Sequence, residues 1–263
     1  MRAPLRIGVA GWSIPRDVSD RFAGEDSHLA RYARVFDAVE INSSFHRPHR
    51  ASTYARWAAS VGPEFRFAVK LPKTVTHAQR LIDCAGPLRR FAGEVGALED
   101  RRGPVLIQLP PSLAFDPQVA ERFLDELMAA LRPPFVCEPR HASWFAAGAD
   151  ALLAERGVAR VAADPPPVPD ASVPGGARDH AYVRLHGSPV IYRSPYTPDQ
   201  LAAHAAAIDA LALAGVASWT IFDNTASGAA MGNALELKAA VAAFTEPPQR
   251  QGQTLASNDP PPA

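Results

Sequence analysis

The sequence predicts an α/β protein built as a single (β/α)8 TIM barrel, and three observations support that prediction. Eight short apolar runs rich in Val, Ile and Phe alternate with helical patterns along the chain, and such runs are typical of buried parallel strands. Six of the runs end in a charged or hydrogen-bonding residue, as strands of barrel enzymes do at the active-site end. The length of 263 residues is close to the barrel norm of about 250.

The predicted strands and helices alternate in chain order. Apolar runs predict strands at 6–10, 38–42, 65–70, 104–109, 135–138, 158–162, 181–185 and 218–222. Apolar residues at three- and four-residue spacing predict helices at 29–36, 51–60, 88–98, 117–131, 144–155, 200–213 and 229–244. Asp116-Pro117 and Thr197-Pro198 predict helix starts, each with a capping side chain followed by proline at the first helical position.

Two segments depart from this alternation. Residues 164–179 contain five prolines and two glycines, so we expect no α-helix there and a sixth helix that is shortened or replaced. Residues 246–263 are rich in Pro, Gln, Ser and Asn and show no core-forming pattern. A disordered tail is therefore expected after a domain formed by residues 1–245, and its removal should leave the melting temperature almost unchanged.

An open, doubly wound sheet is the alternative architecture. Such a sheet usually carries a G-x-G-x-x-G phosphate loop after its first strand. Residues 8–13 read Gly-Val-Ala-Gly-Trp-Ser and do not complete that pattern. The barrel is therefore preferred.

Composition argues against several classes of partner. Lys and Arg together number 27, as do Asp and Glu, so no overall positive charge exists to bind nucleic acid. No apolar stretch approaches the roughly 20 residues of a membrane helix, and the N-terminus lacks a signal-peptide pattern. The two cysteines form no metal-binding motif. We expect a cytoplasmic protein without membrane contact, and the oligomeric state stays open.

Four residues near strand ends are candidates for catalysis. Lys70 ends the third predicted strand, where it could neutralise a substrate anion or form a Schiff base, or simply pair with Glu40. Glu40 and Glu138 lie at the ends of the second and fifth strands, and two converging carboxylates suit acid–base work or the support of neighbouring cations. His186 follows the seventh strand and is suited to proton transfer near neutral pH.

Arg140 and Arg184 are the strongest candidates for anion binding. They lie at the ends of the fifth and seventh strands, and two guanidinium groups from separate strands can bind one phosphate or carboxylate. We expect Arg184→Met to abolish anion binding with little loss of stability, because it removes one of several like charges. The other candidates for substrate contact lie in or after strand ends: Trp12, Asn42, His77, Gln108, His141, Tyr192, Tyr196, Asp223 and Asn224.

A series of motifs in fixed order spans nearly the whole chain except the tail: Gly11-Trp12, Val39-Glu40-Ile41-Asn42, Gln108-Leu109-Pro110-Pro111-Ser112, Glu138-x-Arg140-His141, Arg184-Leu185-His186-Gly187 and Phe222-Asp223-Asn224. In these motifs the chain resembles the YecE-like proteins, a TIM-barrel family classed as a domain of unknown function, number 72. Pro139, Ser188 and Asp223 depart from the residues usual in that family. The resemblance implies the barrel fold and brings no established reaction.

The leading hypothesis is an enzyme that acts on a small anionic or polyhydroxylated molecule, because titratable groups from at least five strands converge. One alternative is a non-catalytic ligand-binding barrel. The other is a divalent-metal-dependent phosphodiesterase or endonuclease, by analogy of fold. Cations at the same strand ends weigh against a metal, so no metal site and no cofactor are predicted. The metal alternative would use Glu40, Glu138, His186 and Asp223.

Overall fold

Strands alternate with helices to give an α/β fold. The computed structural model describes residues 2–245, so the predicted tail at 246–263 lies outside the described residues. The predicted strand at 158–162 is divided between β6 and β7, and β8 was not predicted. The strands are β1 Leu5–Val9, β2 Ala38–Ile41, β3 Arg66–Lys70, β4 Arg102–Gln108, β5 Phe135–Glu138, β6 Val158–Arg160, β7 Ala162–Asp164, β8 Gly175–Gly176, β9 His180–Leu185 and β10 Ala217–Phe222.

The strands form two sheets. In one sheet the order is β1, β10, β9 and β7, and these pairs are parallel. In the other, β2 to β6 follow one another in parallel, and β8 is antiparallel to β6 at the edge. Because neighbouring strands run in the same direction, their carboxyl ends lie along a common edge.

Two junctions bring the sheets together. At one, Ala10 and Glu40 form a parallel bridge, and the Gly11 N–H donates to the Glu40 carbonyl at 2.9 Å. At the other, β6 runs into β7 through Val161, whose N–H donates to the Cys137 carbonyl at 2.8 Å. The chain thus passes directly from one sheet into the other.

The close approach of β1 to β2 depends on Gly8 and Tyr32. A Cβ atom at Gly8 would lie 2.3 Å from the Ala38 carbonyl oxygen, so a residue without a side chain is required. The buried Tyr32 hydroxyl donates to the same Ala38 carbonyl at 2.8 Å and accepts from the Val9 N–H at 3.0 Å. One phenol therefore links the edge strands of both sheets.

The seven predicted helices follow one another in the predicted order with local differences at their ends, and the short helix at Ser43–His46 was not predicted. A 3-10 turn at Ala142–Phe145 precedes α6, so that helix begins later than predicted, and a π-helical turn at Thr74–Ala78 follows β3. None of the helices within residues 2–245 is long and apolar enough to cross a bilayer. The α-helices are α1 His28–Tyr32, α2 Ser43–His46, α3 Ala51–Ala59, α4 Ala85–Val95, α5 Pro117–Ala130, α6 Ala147–Glu155, α7 Pro198–Leu213 and α8 Ala229–Thr245.

Both predicted helix starts are confirmed. The Asp116 carboxylate accepts from the N–H groups of Gln118 and Val119 at 3.0 and 3.1 Å. Thr197 and Gln200 form a reciprocal capping box. These contacts satisfy N–H groups that would otherwise lack partners in the first turn of a helix.

The Pro-rich segment at 164–179 contains no α-helix, as expected. It holds a short 3-10 turn at Pro169–Ser172 and the two-residue strand β8. Prolines remove the N–H groups that a longer helix needs, so an antiparallel strand covers β6 in place of a helix.

Alternate residues of the strands belong to two separate hydrophobic cores. Val39 and Phe67 belong to the larger core, which also takes in buried residues of the helices. Neighbouring positions point to the opposite face of each strand and form a second cluster that draws on both sheets. Its members are Ala38, Ala68, Leu106, Val136, Ala159, Val161, Tyr182, Trp219 and Ile221.

We expect Tyr32→Phe to lower the free energy of unfolding by about 1–3 kcal/mol, because it removes the partner of a buried N–H group and of a buried carbonyl. Urea unfolding followed by circular dichroism measures the change. Tyr192→Phe removes a hydroxyl from an exposed side chain and should change stability by less than about 0.5 kcal/mol. Equal stability of Tyr32→Phe and the wild type would contradict the role given to this hydroxyl.

Candidate functional site

The carboxyl ends of the strands bring together most of the charged residues predicted to form a site. Parallel pairing places Gln108 beside Glu138 and Arg184 beside Ile221. The polar side chains of this edge come from both sheets. They are Glu40 in β2, Lys70 at the end of β3, Gln108 at the end of β4, Glu138 at the end of β5, Arg184 in β9 and Asp223 directly after β10.

Arg184 is completely buried at the centre of this group. Its Nε and Nη2 donate to the two carboxylate oxygens of Glu40 at 3.1 and 2.7 Å. Nη2 also donates to Asp223 Oδ2 at 2.9 Å, while Nη1 donates to Glu138 Oε2 at 2.6 Å and to Gln108 Oε1 at 3.5 Å. A guanidinium has five N–H groups, so all five have acceptors within the protein.

This geometry differs from the expectation that Arg184 would bind a substrate anion together with Arg140. The sequence correctly predicted that Arg184 lies near the end of a strand, but it did not predict that the side chain is completely buried. Three carboxylates from different parts of the chain enclose Arg184, so a substrate would have to displace one of them to reach it. The ionic contacts of Arg184 are therefore with carboxylates of the protein itself.

The buried charges stabilise one another. Burial alone would raise the pKa of the Glu138 carboxyl, but Arg184, His186 and Arg140 lower it well below its usual range. Burial likewise opposes ionisation of Asp223, and Arg184 with His186 lowers the pKa of that carboxyl. Burial would lower the pKa of Arg184, but the surrounding carboxylates raise it well above its usual value. The carboxylates of Glu138 and Asp223 and the guanidinium of Arg184 are therefore ionised at neutral pH.

His186 is buried between two carboxylates. Its Nε2 lies 2.8 Å from Glu138 Oε1, and its Nδ1 lies 3.1 Å from Asp223 Oδ2. Arg140 Nη2 is 3.3 Å from the same Nε2. An imidazolium can donate to both carboxylates, whereas a neutral ring protonated on Nδ1 can accept from Arg140. Hydrogen-bond partners for both protonation states are thus in place.

Lys70 differs from the other cations of the site. It is 7% exposed, and its ammonium lies over the Phe45 ring, 4.2 Å from the centroid. In the described part of the chain its Nζ makes no ion pair and no hydrogen bond, so the expected pair with Glu40 is absent there. Burial, reinforced by the charge of Arg184, lowers the pKa of Lys70 to about 8, although nearby carboxylates oppose the shift.

Arg140 and His77 lie near Lys70. The Arg140 side chain is partly exposed and donates to a carboxylate of the cluster at 2.9 Å. In the π-helical turn after β3, His77 Nδ1 lies 2.9 Å from Thr76 Oγ1, and the ring packs edge-on against Phe45. Burial, followed by the charges of Lys70 and Arg140, lowers the pKa of His77. His77 therefore lies within electrostatic range of two cations beside the buried cluster, Lys70 and Arg140.

Asn42 and Gln108 place neutral amides beside these charges. Asn42 Nδ2 donates to Asp223 Oδ1 at 3.3 Å. Its Oδ1 is buried and has no hydrogen-bond partner among residues 2–245. An unsatisfied buried acceptor costs about 1–3 kcal/mol, so a hydroxyl or ammonium group of a ligand would stabilise it.

Trp12 and His141, which were predicted to contact the substrate, each contact another part of the protein. Trp12 packs edge-on against Trp57 at 5.0 Å between ring centroids. His141 caps the 3-10 turn after β5, where its Nδ1 accepts from the Ser143 N–H at 3.2 Å. Among the described residues, neither Trp12 nor His141 forms a hydrogen bond with the charged cluster.

The loop after β9 contributes three further candidates. The buried Tyr196 hydroxyl accepts from the Gly187 N–H at 3.0 Å, and Asn224 donates to a carbonyl of the same loop at 3.0 Å. The exposed Tyr192 ring lies edge-on to His186, with centroids 5.5 Å apart. Tyr196 and Asn224 hold the loop, while Tyr192 covers the histidine.

Two residues of the site were missed by sequence reasoning. The Tyr182 hydroxyl donates to Glu40 Oε2 at 2.8 Å. Tyr182 precedes Arg184 by two positions and therefore shares its strand face, a signal that could have identified it. Phe45 lies in the short helix α2, and no pattern in the sequence indicated its contact with Lys70.

No group of three or more His, Cys, Asp or Glu side chains in the described chain is arranged to hold a metal ion. The three carboxylates that the metal alternative would use are bound to Arg184. The guanidinium of Arg184 thus occupies the position that a metal ion would need.

Residues 6–255 match the family model described as a protein of unknown function, DUF72. The chain is 32% identical over 172 residues to the UPF0759 protein YecE of Escherichia coli strain K12, an alignment that covers 62% of this chain and 60% of that protein. The chain therefore matches less than two thirds of that relative's length.

Two solved structures of DUF72 family proteins share the fold. The protein of Thermotoga maritima MSB8 gives a TM-score of 0.75 at 23% identity, covering 91% of this chain and 99% of its own. That of Enterococcus faecalis V583 gives 0.76 at 19% identity, covering 90% and 95%. Identities this low show similarity of fold alone.

We expect Arg184→Met to lower the free energy of unfolding by about 3–5 kcal/mol, because it leaves buried carboxylates without their countercharge. This is the reverse of the expectation from sequence alone. Urea unfolding measures the change, and Arg193→Met, at an exposed arginine, should alter it by less than about 0.5 kcal/mol. Near wild-type stability of Arg184→Met would show that the ion pairs contribute little.

The cluster should also make stability depend on acidity. The folded-state pKa values of Glu138 and Asp223 are lowered, so their contribution is present above the unfolded-state pKa of about 4 and is lost as the pH falls through the folded values. We expect the free energy of unfolding to decrease between about pH 5 and pH 2. Glu138→Gln should show a shallower decrease in urea unfolding, and an equal slope would exclude Glu138 as a contributor.

Proposed function

We propose that this chain, which belongs to the DUF72 family of proteins of unknown function, is an enzyme acting on a small anionic or polyhydroxylated substrate. The anionic group is a phosphate or a carboxylate. The reaction proceeds by acid–base chemistry at the carboxyl ends of the strands. Lys70 carries the proposal, because it is a nearly buried cation without an ion-pair partner in the described chain.

The charge balance of the site supports anion binding. Three carboxylates face three permanent or potential cations, Arg184, Arg140 and Lys70, so the charges of these six side chains nearly cancel. Arg184 has all its donors engaged, whereas Lys70 has three N–H groups and no acceptor among the described residues. A substrate anion would therefore take the ammonium of Lys70 and the partly exposed guanidinium of Arg140 as its partners.

His186 is the proposed proton-transfer group. It can donate to Glu138 and Asp223 as an imidazolium, and after losing the Nε2 proton it can accept from Arg140. Each state keeps hydrogen bonds, so moving the proton leaves no buried polar group unpaired. Glu138 is then a catalytic partner of the histidine, while Glu40 is a positioning residue that acts through Arg184.

We also propose that the two sheets close into one (β/α)8 barrel. The bridge between Ala10 and Glu40 and the direct run from β6 into β7 support this closure. A core cluster shared by both sheets would then be the barrel interior. Barrel enzymes carry their active sites at the carboxyl ends of the strands, which is where the charged cluster lies.

We expect inorganic phosphate and malonate to raise the melting temperature of the wild type, and Lys70→Met to weaken this binding by about 10-fold or more, since a charge-assisted hydrogen bond contributes about 1.5–3 kcal/mol. Arg140→Gln should weaken it similarly. Lys73→Met, at an exposed lysine three residues away, is the matched control and should bind as the wild type does. Calorimetric titration measures the affinities.

Unchanged affinity in Lys70→Met would reject Lys70 as the anion site. Anion binding without turnover in a screen of phosphate esters and hydroxy acids would favour the non-catalytic ligand-binding alternative. Turnover that requires an added divalent metal would favour the phosphodiesterase alternative.

A further inference from the structure

We propose that Lys70 forms an imine, or Schiff base, with the carbonyl group of a small aldehyde, ketone or 2-oxo acid. The inference rests on the proposed function, because it names the substrate class of the same site. A lysine suited to this reaction is free of a bonded carboxylate, is shielded from bulk water and can lose its proton.

The carboxylates around Lys70 are committed to other cations. Glu40 and Asp223 pair with Arg184, and Glu138 pairs with Arg184 while its second oxygen lies 2.8 Å from His186. Residues 2–245 supply no ion-pair partner for the Lys70 nitrogen. The Lys70 amine thus lies near three carboxylates but forms no ion pair with them.

The position of Lys70 is fixed and sheltered. The buried Ser44 hydroxyl lies 2.7 Å from the Lys70 carbonyl and 3.0 Å from the Ile41 carbonyl, so it ties α2 to the ends of β2 and β3. The Phe45 ring from the same helix covers one side of the ammonium. An imine formed here would be shielded on that side from water that hydrolyses it.

The electrostatic surroundings favour an uncharged amine. Burial is the largest effect on the pKa of Lys70, Arg184 lowers it further, and the carboxylates raise it, with a result of about 8. At pH 8 about half of Lys70 is therefore uncharged, against well under 1% of a lysine with an ordinary pKa of about 10.4. The charged or titratable groups that interact with it are Arg184 from β9, Glu40 from β2, Glu138 from β5, Asp223 after β10 and His77 after β3.

The reaction balances without any further reagent. The uncharged amine adds to the carbonyl carbon, and a proton moves from nitrogen to oxygen to give a carbinolamine. A second proton lets the hydroxyl leave as water while the nitrogen lone pair forms the C=N bond. The iminium cation replaces the original ammonium, so the charge of the site is unchanged. It withdraws electrons from the neighbouring carbon and makes the C–H bond there acidic.

His77 is placed to carry these protons. Its Nδ1 is engaged by Thr76 at 2.9 Å, while its Nε2 has no hydrogen-bond partner in the part of the chain described. Lys70 and His77 share the Phe45 ring as a contact. Burial, followed by the charge of Lys70, lowers the pKa of His77. The ring is therefore kept neutral and can accept a proton.

The test is reductive trapping of the full chain with pyruvate, a 2-oxo acid, and separately with glycolaldehyde, in the presence of sodium cyanoborohydride at pH 8. Mass spectrometry of a digest then locates the secondary amine. The chain has three lysines, so the exposed Lys73 and the backbone-bonded Lys238 are internal controls. We expect Lys70 to be modified on the order of 10-fold or more faster than Lys73, because the lowered pKa of Lys70 leaves more of its amine uncharged.

Equal labelling of Lys70 and Lys73, or no labelling of Lys70 with either probe, would overturn the imine. Lys70→Arg keeps the positive charge without the amine, so it should retain phosphate binding and lose the adduct. If that variant does not fold, the map of wild-type adducts decides alone. Phosphate binding without an adduct would reject the imine and leave the proposed function standing, whereas a wild type that binds neither phosphate nor malonate would reject the proposed function.

Discussion

The organisation of the site depends on one buried guanidinium and the five hydrogen bonds that it donates. Removing a charge from water costs several kcal/mol even after relaxation, so Arg184 can be buried only because carboxylates from β2, β5 and the end of β10 converge on it. The same contacts join strands of both sheets at their carboxyl ends. We therefore interpret the ion pairs as a constraint that sets the positions of the strand ends.

This constraint divides the cations of the site into two kinds. Arg184 is saturated and buried, and it removes the carboxylates that would otherwise pair with Lys70. Lys70 makes no ion pair among the described residues, and the Arg140 side chain is partly exposed. His186 lies between carboxylates, with a donor or acceptor for each protonation state. The ion-pair network thus leaves Lys70 without an ion-pair partner among the described residues, and the proposed site depends on this feature.

Much of the fold could be predicted from the sequence, because seven of the eight predicted strands end within one residue of an observed strand end, and polar side chains mark the common edge. The sequence pattern did not predict which arginine would be buried. Arg140 and Arg184 both follow apolar runs, and their depth depends on how many carboxylates enclose each one in three dimensions. The environment of Lys70 could not be predicted from the sequence either, because it depends on the pairing of the nearby carboxylates with Arg184 and on the contact with Phe45. Similarly, a Pro-rich segment predicted the loss of a helix but not the strand β8 that replaces it.

A crystal structure of the protein grown or soaked with phosphate tests the central claim most directly. We expect a phosphate whose oxygens contact the Lys70 ammonium and the Arg140 guanidinium, while all five hydrogen bonds of Arg184 stay in place. A phosphate bound to Arg184, with Glu40, Glu138 or Asp223 displaced from it, would contradict the account. In that case the buried arginine would be the anion site, and the cluster would be a closed form that opens when a ligand binds.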